Sequence, residues 1–278
     1  MTGALVLVGT PIGNLGDLAP RAVRELTDAD MIACEDTRRT RQLLSHAGVA
    51  SSHRLITVND HNEAAQVRKV IERLDSGARV VVVTDAGMPG ISDPGERLVA
   101  AAVAAGHRVE VVPGPSAALA ALVMSGLPTG RFCFEGFLPR KGRARADRLD
   151  ELGAERRTSV IFEAPHRVRR TVADLAESLG GERVVFVARE ITKHYEESWR
   201  APLAGALSRL EETEPRGEYV LVVAGAPAPS EPDANEVESA LRMRLGAGID
   251  RKTAISAVAK ELNVPRREVY ELAIHLDG

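Results

Sequence analysis

Five titratable side chains directly follow predicted strands, and each has a group that can take a proton from, or give one to, a bound substrate. They are Glu35, Asp36, Asp85, Glu163 and His166. Open α/β sheets bind ligands at the carboxyl ends of their strands, so these residues are candidates for the polar wall of a cleft. A structural role competes with this interpretation: Asp36, Glu163 and His166 can instead cap the helices that follow them.

The loop over residues 84–95 (TDAGMPGISDPG) is longer than a plain strand-to-helix connection requires. It follows a predicted strand at 78–83, whose four consecutive valines indicate burial on both faces. Its glycines allow a ligand close to the backbone, and its prolines hold the loop open. We therefore interpret it as a binding loop; a long surface turn is the alternative.

Strands and helices alternate through residues 1–125, which predicts an α/β domain with a parallel sheet. The first strand, at 4–8, runs into a second glycine-rich loop, GTPIGNLGDL, at 9–18. This loop matches neither the dinucleotide fingerprint nor a phosphate-binding P-loop, which argues against an NAD-linked oxidoreductase. A third loop, PGPS at 113–116, precedes a helix of small residues.

After a break at 126–130, strands follow one another more directly, which predicts a second α/β domain with a mixed sheet at 131–225. Five of the nine residues from Arg140 to Arg148 are basic, in a loop or at a helix start. A Pro/Ala linker then leads to a helical tail at 236–278, spaced like a helix-turn-helix. The tail has seven basic and seven acidic residues, so its charge does not favour independent DNA binding.

The bulk composition is that of a globular protein of 278 residues with a formal net charge of −3. That charge argues against a general polyanion-binding surface, although local basic clusters remain. Cys34 and Cys133 lack a CxxC partner and are expected to be reduced thiols. His61 is interpreted as a surface or capping residue, and we expect no metal site. No signal peptide or membrane span is predicted, so we expect a cytoplasmic protein.

Six motifs occur in an order and spacing that together resemble one family. They are GTPIGN at 9–14, EDTR at 35–38, DAGMPGISDPG at 85–95, PGPSA at 113–117, FEGFLP at 134–139 and FEAPHR at 162–167. The chain resembles the small-subunit ribosomal RNA 2′-O-ribose cytidine methyltransferases of the tetrapyrrole-methylase superfamily over essentially its whole length. It departs from the usual pattern at Thr84, which keeps a hydroxyl, and at Met88, which loses one.

The resemblance implies two α/β domains with S-adenosylmethionine in the interdomain cleft, held mostly by backbone atoms, plus the small C-terminal helical element. Carried over by motif, the implied cofactor-binding residues are Pro11, Asp85, Ala86, Gly87, Pro89, Ile91, Ser92, Asp93, Ser116, Ala117, Phe162, Ala188 and Gly217. It also implies a small-ribosomal-subunit RNA substrate, modified at a decoding-region cytidine, and a homodimer. The basic residues expected to meet RNA phosphates are Arg38, Arg140, Lys141, Arg143, Arg145 and Arg167.

The implied reaction is attack of a ribose 2′-oxygen on the sulfonium methyl, which calls for a base or a charge-stabilising group nearby. The candidates are Glu35, Asp36, Glu163 and His166. Asp85 is the least favoured base because the cofactor loop would engage it. Two alternatives stay open: a corrin or porphyrin C-methyltransferase, and a non-catalytic ribosome-binding module on the same fold.

Overall fold

The computed structural model describes residues 3–50, 54–59, 62–228 and 232–275, and the chain folds as two compact units, Met1–Ala226 and Pro227–Gly278. The larger unit contains two five-stranded sheets and the smaller unit contains three helices. The predicted α/β class and the C-terminal helices are therefore present. The division of the larger unit into separate domains at 1–125 and 131–225 stays a prediction. His61 lies outside the described residues.

The first sheet, called here the parallel sheet, has the strand order β3-β2-β4-β1-β5 with every pair parallel. Its strands are β1 (Ala4–Val8), β2 (Met31–Cys34), β3 (Leu55–Thr57), β4 (Arg79–Val83) and β5 (Arg108–Val112). Its helices are α1 (Pro20–Asp28), α2 (Thr37–His46), α3 (Glu63–Asp75), α4 (Glu96–Ala104) and α5 (Ala117–Ser125). Because all strands run in one direction, the loops after β1, β2, β4 and β5 meet at one edge.

The four valines of β4 show why this sheet is covered on both faces. Val81 and Val83 belong to one core layer, and Val80 and Val82 belong to the layer on the opposite face. Side chains alternate between the faces of a strand, so a continuous valine run supplies both cores at once. The predicted burial of the valine run on both faces of β4 is thus confirmed.

The second sheet, called here the mixed sheet, has the order β6-β7-β10-β8-β9. Its strands are β6 (Phe132–Phe137), β7 (Thr158–Glu163), β8 (Val184–Arg189), β9 (Glu197–Pro202) and β10 (Tyr219–Val223). The β6–β7 pair is parallel and the other pairs are antiparallel, as the closer spacing of these strands predicts. Helices α6 (Arg143–Ala154), α7 (Pro165–Leu179) and α8 (Leu203–Glu212) accompany this sheet.

Helix α5 joins the two sheets. Ala118, Ala121 and Leu122 pack in one core with Val160 and Val222 of the mixed sheet. Small side chains let a helix approach a sheet closely, which accounts for the alanine-rich composition of α5. Helix α5, which follows β5 in the chain, thus packs against the mixed sheet within the same compact unit.

Helix α4 is capped by a carboxylate from another helix. Glu63, the first residue of α3, is buried, and its Oε1 accepts from the backbone N–H groups of Gly95, Arg97 and Leu98 at 3.0, 3.0 and 3.3 Å. These donors have no partner within the first turn of a helix, and a carboxylate also suits the positive end of the helix dipole. Glu63 thereby fixes the far end of the 84–95 loop.

The smaller unit consists of α9 (Ala234–Gly246), α10 (Arg251–Glu261) and α11 (Arg266–His275). Its own core includes Leu241, Ile255, Val258 and Val269. Asp250 caps α10 by accepting from the Thr253 N–H at 3.0 Å. Among the described residues, no helix combines the length and apolar character needed to cross a membrane.

Candidate active-site cleft

The loops at the edge of the parallel sheet are tied directly to one another. The Thr10 N–H donates to the Gly87 carbonyl at 2.9 Å, and the Gly87 N–H donates back to the Thr10 carbonyl at 3.2 Å. Gly9 and Gly114 pack so closely that a Cβ on Gly9 would lie 2.7 Å from the Gly114 Cα. Glycine is required at these two positions because any side chain would separate the loops. The three glycine-rich motifs therefore form one wall.

A cavity of about 410 Å³ lies between this wall and the mixed sheet. A second cavity of about 290 Å³ adjoins it and shares Ile12, Arg39, Asp85, Ala86, Lys193 and Glu218 with it. The larger volume is within the range of small-molecule sites. Backbone-rich loops on one side and apolar strand ends on the other suit a ligand with both polar and apolar parts.

Most of the predicted cofactor-binding residues line these cavities. The larger one is bordered by Asp85, Ala86, Gly87, Ile91, Ser92, Asp93, Ser116, Ala117 and Phe162, and the smaller one by Pro11. Among the described lining residues, Pro89, Ala188 and Gly217 do not occur. Ala188 is fully buried in the core beneath α5, and a Cβ on Gly217 would lie 2.5 Å from the Glu190 side chain. The surroundings of Ala188 and Gly217 indicate packing roles, and the predicted cofactor contacts of all three residues stay predictions.

Sequence reasoning assigned no role to several residues that line the larger cavity. They include Ile12, Arg39, Phe137, Ile191, Lys193 and Tyr219. Arg39 and Phe137 lie inside or directly beside the quoted motifs, so the signal was present. Ile191 and Lys193 lie in a loop that meets the 9–18 loop, where the Asn14 N–H donates to Thr192 Oγ1 at 3.2 Å. Only the fold brings these segments together.

Two carboxylates, Glu35 and Asp85, lie next to each other where β2 and β4 end. The Asp85 N–H points to Glu35 Oε2 at 3.5 Å, and Asp85 Oδ1 accepts from the Asp36 N–H at 3.2 Å. Arg39 Nε lies 3.5 Å from Asp85 Oδ2. Burial raises the pKa of Asp85 despite the opposing effect of Arg39. Glu35 and Asp85 both border the larger cavity, so two neighbouring carboxylates face the space where a ligand could bind.

The contacts of Asp36 favour its capping role over the predicted catalytic one. Its carboxylate caps α2 by accepting from the Arg38 N–H at 2.7 Å, and it also pairs with the Arg38 guanidinium at 2.7 Å. These hydrogen bonds lower the pKa of Asp36 to about 2. A carboxylate held so firmly in its charged form is a poor proton acceptor near neutral pH. Asp36 is a helix cap, the alternative that the sequence left open.

The surroundings of Glu163 and His166 favour structural positions at the start of α7, and their catalytic assignment stays a prediction. Glu163 is buried, and its carboxylate accepts from the Ala164 N–H at 2.9 Å and from Thr171 Oγ1 at 2.6 Å, with Arg167 Nε at 3.2 Å. Although it borders the cavity, its oxygens are engaged in holding the start of α7. His166 lies in the first turn of α7, which begins at Pro165, and its side chain is exposed.

This combination of sheets, loops and cavity has counterparts among known proteins. The family model for tetrapyrrole (corrin/porphyrin) methylases matches residues 4–207. The chain belongs to the tetrapyrrole methylase family. Solved structures of the same fold include a diphthine synthase (TM-score 0.63, 15% identity, 80% of this chain and 90% of that one). They also include a uroporphyrin-III-C-methyltransferase from Thermus thermophilus (TM-score 0.57, 23% identity, 80% of this chain and 94% of that one).

Curated relatives within this methylase family match nearly the whole chain. "Ribosomal RNA small subunit methyltransferase I" of Synechocystis sp. is 44% identical over 278 residues, covering 99% of both chains. The protein of the same name from Mycobacterium tuberculosis is 43% identical over 98% of this chain and 95% of its own length. That of Escherichia coli O157:H7 is 40% identical over 99% and 96%. The similarity thus includes the C-terminal helical unit.

The basic residues predicted to meet RNA divide into two groups in this methylase. Arg38, Arg140, Lys141 and Arg143 are exposed, although Arg38 is paired with Asp36. Arg145 is only 4% exposed, and its guanidinium donates to Asp174 at 2.7 Å, to the Pro139 carbonyl at 2.9 Å and to Thr171 at 3.0 Å. The prediction that Arg145 contacts RNA is therefore wrong, because the side chain stabilises the packing of α6 on α7.

Arg167 is likewise corrected. It donates to the Leu138 carbonyl at 2.7 Å and pairs with Glu163, and it is mostly buried. One buried polar network consequently links β7, α6 and α7, and its members are Glu163, Thr171, Arg145 and Arg167.

Within the described residues, no cluster of three or more His, Cys, Asp or Glu side chains could hold a metal ion.

Proposed function

We propose that this protein transfers a methyl group from S-adenosylmethionine to the ribose 2′-oxygen of a decoding-region cytidine in small-subunit ribosomal RNA. The observation that carries the proposal is the position of Glu35 in a cavity walled by backbone-rich loops. The relatives at 40–45% identity, which are named for ribosomal RNA small subunit methylation, support this substrate over a tetrapyrrole.

The residues present fit S-adenosylmethionine on several counts. Gly87, which has a φ of +83°, borders the larger cavity without a side chain, and a Cβ there would lie 3.5 Å from Ile12. Asp85 and Asp93 border the cavity, and carboxylates suit a cationic ligand. Asp85, Gly87, Ser116 and Ala117 would hold the cofactor. When bound, it supplies an activated methyl group to the acceptor oxygen.

Glu35 is the residue that we assign to proton transfer. A ribose hydroxyl is a weak nucleophile until its proton is removed, and a carboxylate at the rim of the cavity can accept that proton. The Asp85 N–H orients the Glu35 carboxylate. The neighbouring Arg39 guanidinium balances the negative charge of Asp85. Alignment of the acceptor with the methyl group then accounts for much of the remaining acceleration.

The exposed cations Arg140, Lys141 and Arg143 are proposed to contact RNA phosphates, which position the substrate without reading its sequence. Because the protein as a whole has a net charge of −3, a shaped ribosomal partner is favoured over loose binding to any polyanion. We expect assembled subunits to be better substrates than naked RNA. Equal rates on the two would contradict this part of the proposal.

The test is methyl transfer from radiolabelled S-adenosylmethionine to purified small subunits that lack the modification, followed by nuclease mapping. We expect label at a single alkali-resistant ribose position. Absence of label on subunits, with cofactor binding intact by calorimetry, would overturn the RNA substrate and direct the search to a small-molecule acceptor such as a tetrapyrrole. The same assay with Glu35→Gln reports whether the assigned base contributes.

We further propose that the protein is a homodimer. Val111 on the edge strand β5 and Leu119 and Val123 on α5 are exposed apolar side chains of the parallel sheet and its helix. Such residues commonly mark protein interfaces when they are grouped. Light scattering coupled to gel filtration tests the assignment: a monomer mass at micromolar concentration would refute it.

A further inference from the structure

Strand β6 contains a β-bulge between two phenylalanines. Phe134 pairs with Val160, Gly136 pairs with Ile161 and Phe137 pairs with Phe162, so Glu135 is the additional residue. In a regular strand, residues 134 and 137 would point to opposite faces. The bulge places both on the face that carries Phe162, and their rings meet the Phe162 ring edge to face at centroid distances of 5.1 and 5.9 Å.

The bulge is held in place by contacts that the rest of the fold supplies. Glu135 pairs with Arg148 of α6 at 2.9 Å. Gly136 has a φ of +59°, and a Cβ there would lie 3.0 Å from Ser92 Oγ of the 84–95 loop. Bulges often redirect a side chain next to a functional site. Here the redirected side chain is Phe137.

Phe137 borders the larger cavity, yet 51% of its surface is exposed. Ile91 of the 84–95 loop borders the same cavity and is 49% exposed. The chain has only five phenylalanines, and three of them meet at this point. An aromatic ring left half uncovered at a cavity mouth offers a flat apolar surface to a planar ligand.

Two basic residues follow Phe137 closely in the sequence. Arg140 and Lys141 are exposed, and neither forms an ion pair within the described part of the chain. Three residues span at most about 11 Å, so Arg140 lies close to the cavity mouth. An aromatic platform beside unpaired cations is the usual composition of sites that hold a splayed-out RNA nucleotide, since the base stacks while the phosphates meet the cations.

We propose that Phe137 is the stacking platform for the base of the acceptor nucleotide, with Arg140 and Lys141 binding the adjoining phosphates. This inference rests on the proposed function, because it requires an RNA substrate. It assigns to the mixed sheet the task of holding the base, while the loops of the parallel sheet hold the cofactor. Stacking tolerates any base, so it positions the ribose without selecting the nucleotide.

The experiment compares Phe137→Leu and Phe137→Tyr with the wild-type protein on small subunits that lack the modification. Initial rates give kcat and KM for the subunits, and calorimetry gives the Kd for S-adenosylmethionine. We expect Phe137→Leu to lower kcat/KM for subunits about tenfold. Phe137→Tyr, which keeps the ring, should stay within about threefold of wild type, and the cofactor Kd should change less than about twofold in both.

Phe134→Leu is the matched control. This ring lies on the same strand and face and contacts the same partner, Phe162, but it is absent from the described lining of the cavity. Its kcat/KM should stay within about twofold of wild type. Thermal unfolding of each variant identifies any loss that comes from folding, and Phe137→Met serves as a second ring-free variant if Phe137→Leu unfolds.

The outcomes separate the two proposals. Full activity of the folded ring-free variants on subunits that the wild type methylates would overturn the platform alone. A parallel rise in the cofactor Kd would assign the ring to the adenine of S-adenosylmethionine and also overturn it. If the wild type itself transfers no methyl group to subunits, the proposed function fails and the platform falls with it.

Discussion

The parallel sheet contributes to the cleft through loops that follow four of its strands, whereas the mixed sheet contributes through strand ends and through the bulge in β6. In the first case the direction of the strands alone brings the loops together. In the second case the register of single residues decides which side chains reach the cavity. The residues that reach the cavity can therefore be inferred from sequence motifs in the parallel sheet, whereas in the mixed sheet they can be identified only from the structure.

The two carboxylates at the ends of β2 and β7 give the sharpest form of this comparison. We expect Glu35→Gln to lower turnover at least tenfold, because a neutral amide cannot accept the hydroxyl proton, while the cofactor Kd changes less than about twofold. Single-turnover methylation with saturating cofactor measures the effect. Retained activity would remove Glu35 from the reaction.

Glu163→Gln is the counterpart in the mixed sheet. Because Glu163 accepts from Thr171 and pairs with Arg167, its loss should lower the melting temperature while turnover per folded molecule stays within about threefold. A tenfold loss of turnover in a fully folded Glu163→Gln protein would show that both sheets contribute a base.

Arg145 and Arg140 test whether sequence neighbours have separate tasks. Arg145→Ala should destabilise the protein by about 3 kcal/mol, since it removes three hydrogen bonds from a buried network. Denaturant unfolding measures this loss. Arg140→Ala should leave stability unchanged and reduce the salt dependence of subunit binding by about one charge. A stable Arg145→Ala protein with weakened RNA binding would restore the original assignment.

Gly136 tests the bulge itself. Gly136→Ala places a side chain in the left-handed region and against Ser92 Oγ, which should cost about 1–2 kcal/mol and displace Phe137. Gly48→Ala is the matched control, because Gly48 has a φ of +69° but open space around it. Both variants should lose stability in chemical denaturation, Gly136→Ala somewhat more because of the Ser92 contact, and only Gly136→Ala should lose subunit methylation. Equal loss of methylation in both would contradict the role of the bulge.

The smallest expected effect concerns Asp85. Its pKa is raised by burial above the ordinary value of 3.8, so ionisation works against folding. The stabilisation of the protonated form is complete below pH 3.8 and is lost as the pH rises through the raised folded-state pKa. Asp85→Asn should therefore raise the melting temperature at pH 7–8, on the order of 1 °C, and the gap should close toward pH 4. A gap that widens in acid would contradict this sign.

Sequence reasoning located the wall of loops because glycine, proline and valine runs constrain the backbone locally. It misplaced Arg145, although the signal was available: Arg145 lies four and seven residues before Leu149 and Leu152, on the buried face of α6. Its partner Asp174 is 29 residues away and could not be inferred. Gly136 is the only sign of the β6 bulge in the sequence. The orientation of Phe137 could therefore be determined only from the structure.

The carboxylate of Glu63 has a consequence for which cofactors this methylase fold admits. Many α/β proteins bind a phosphate at the first turn of a helix that follows a strand, because the free amides and the helix dipole attract anions. In this protein the corresponding helix is α4. In this protein the Glu63 carboxylate occupies that position and accepts hydrogen bonds from three of the amides. A nucleotide that carries a pyrophosphate would have to displace the buried Glu63 carboxylate to bind there. We therefore expect the start of α4 not to bind the phosphates of a nucleotide cofactor, whatever the composition of the neighbouring loops.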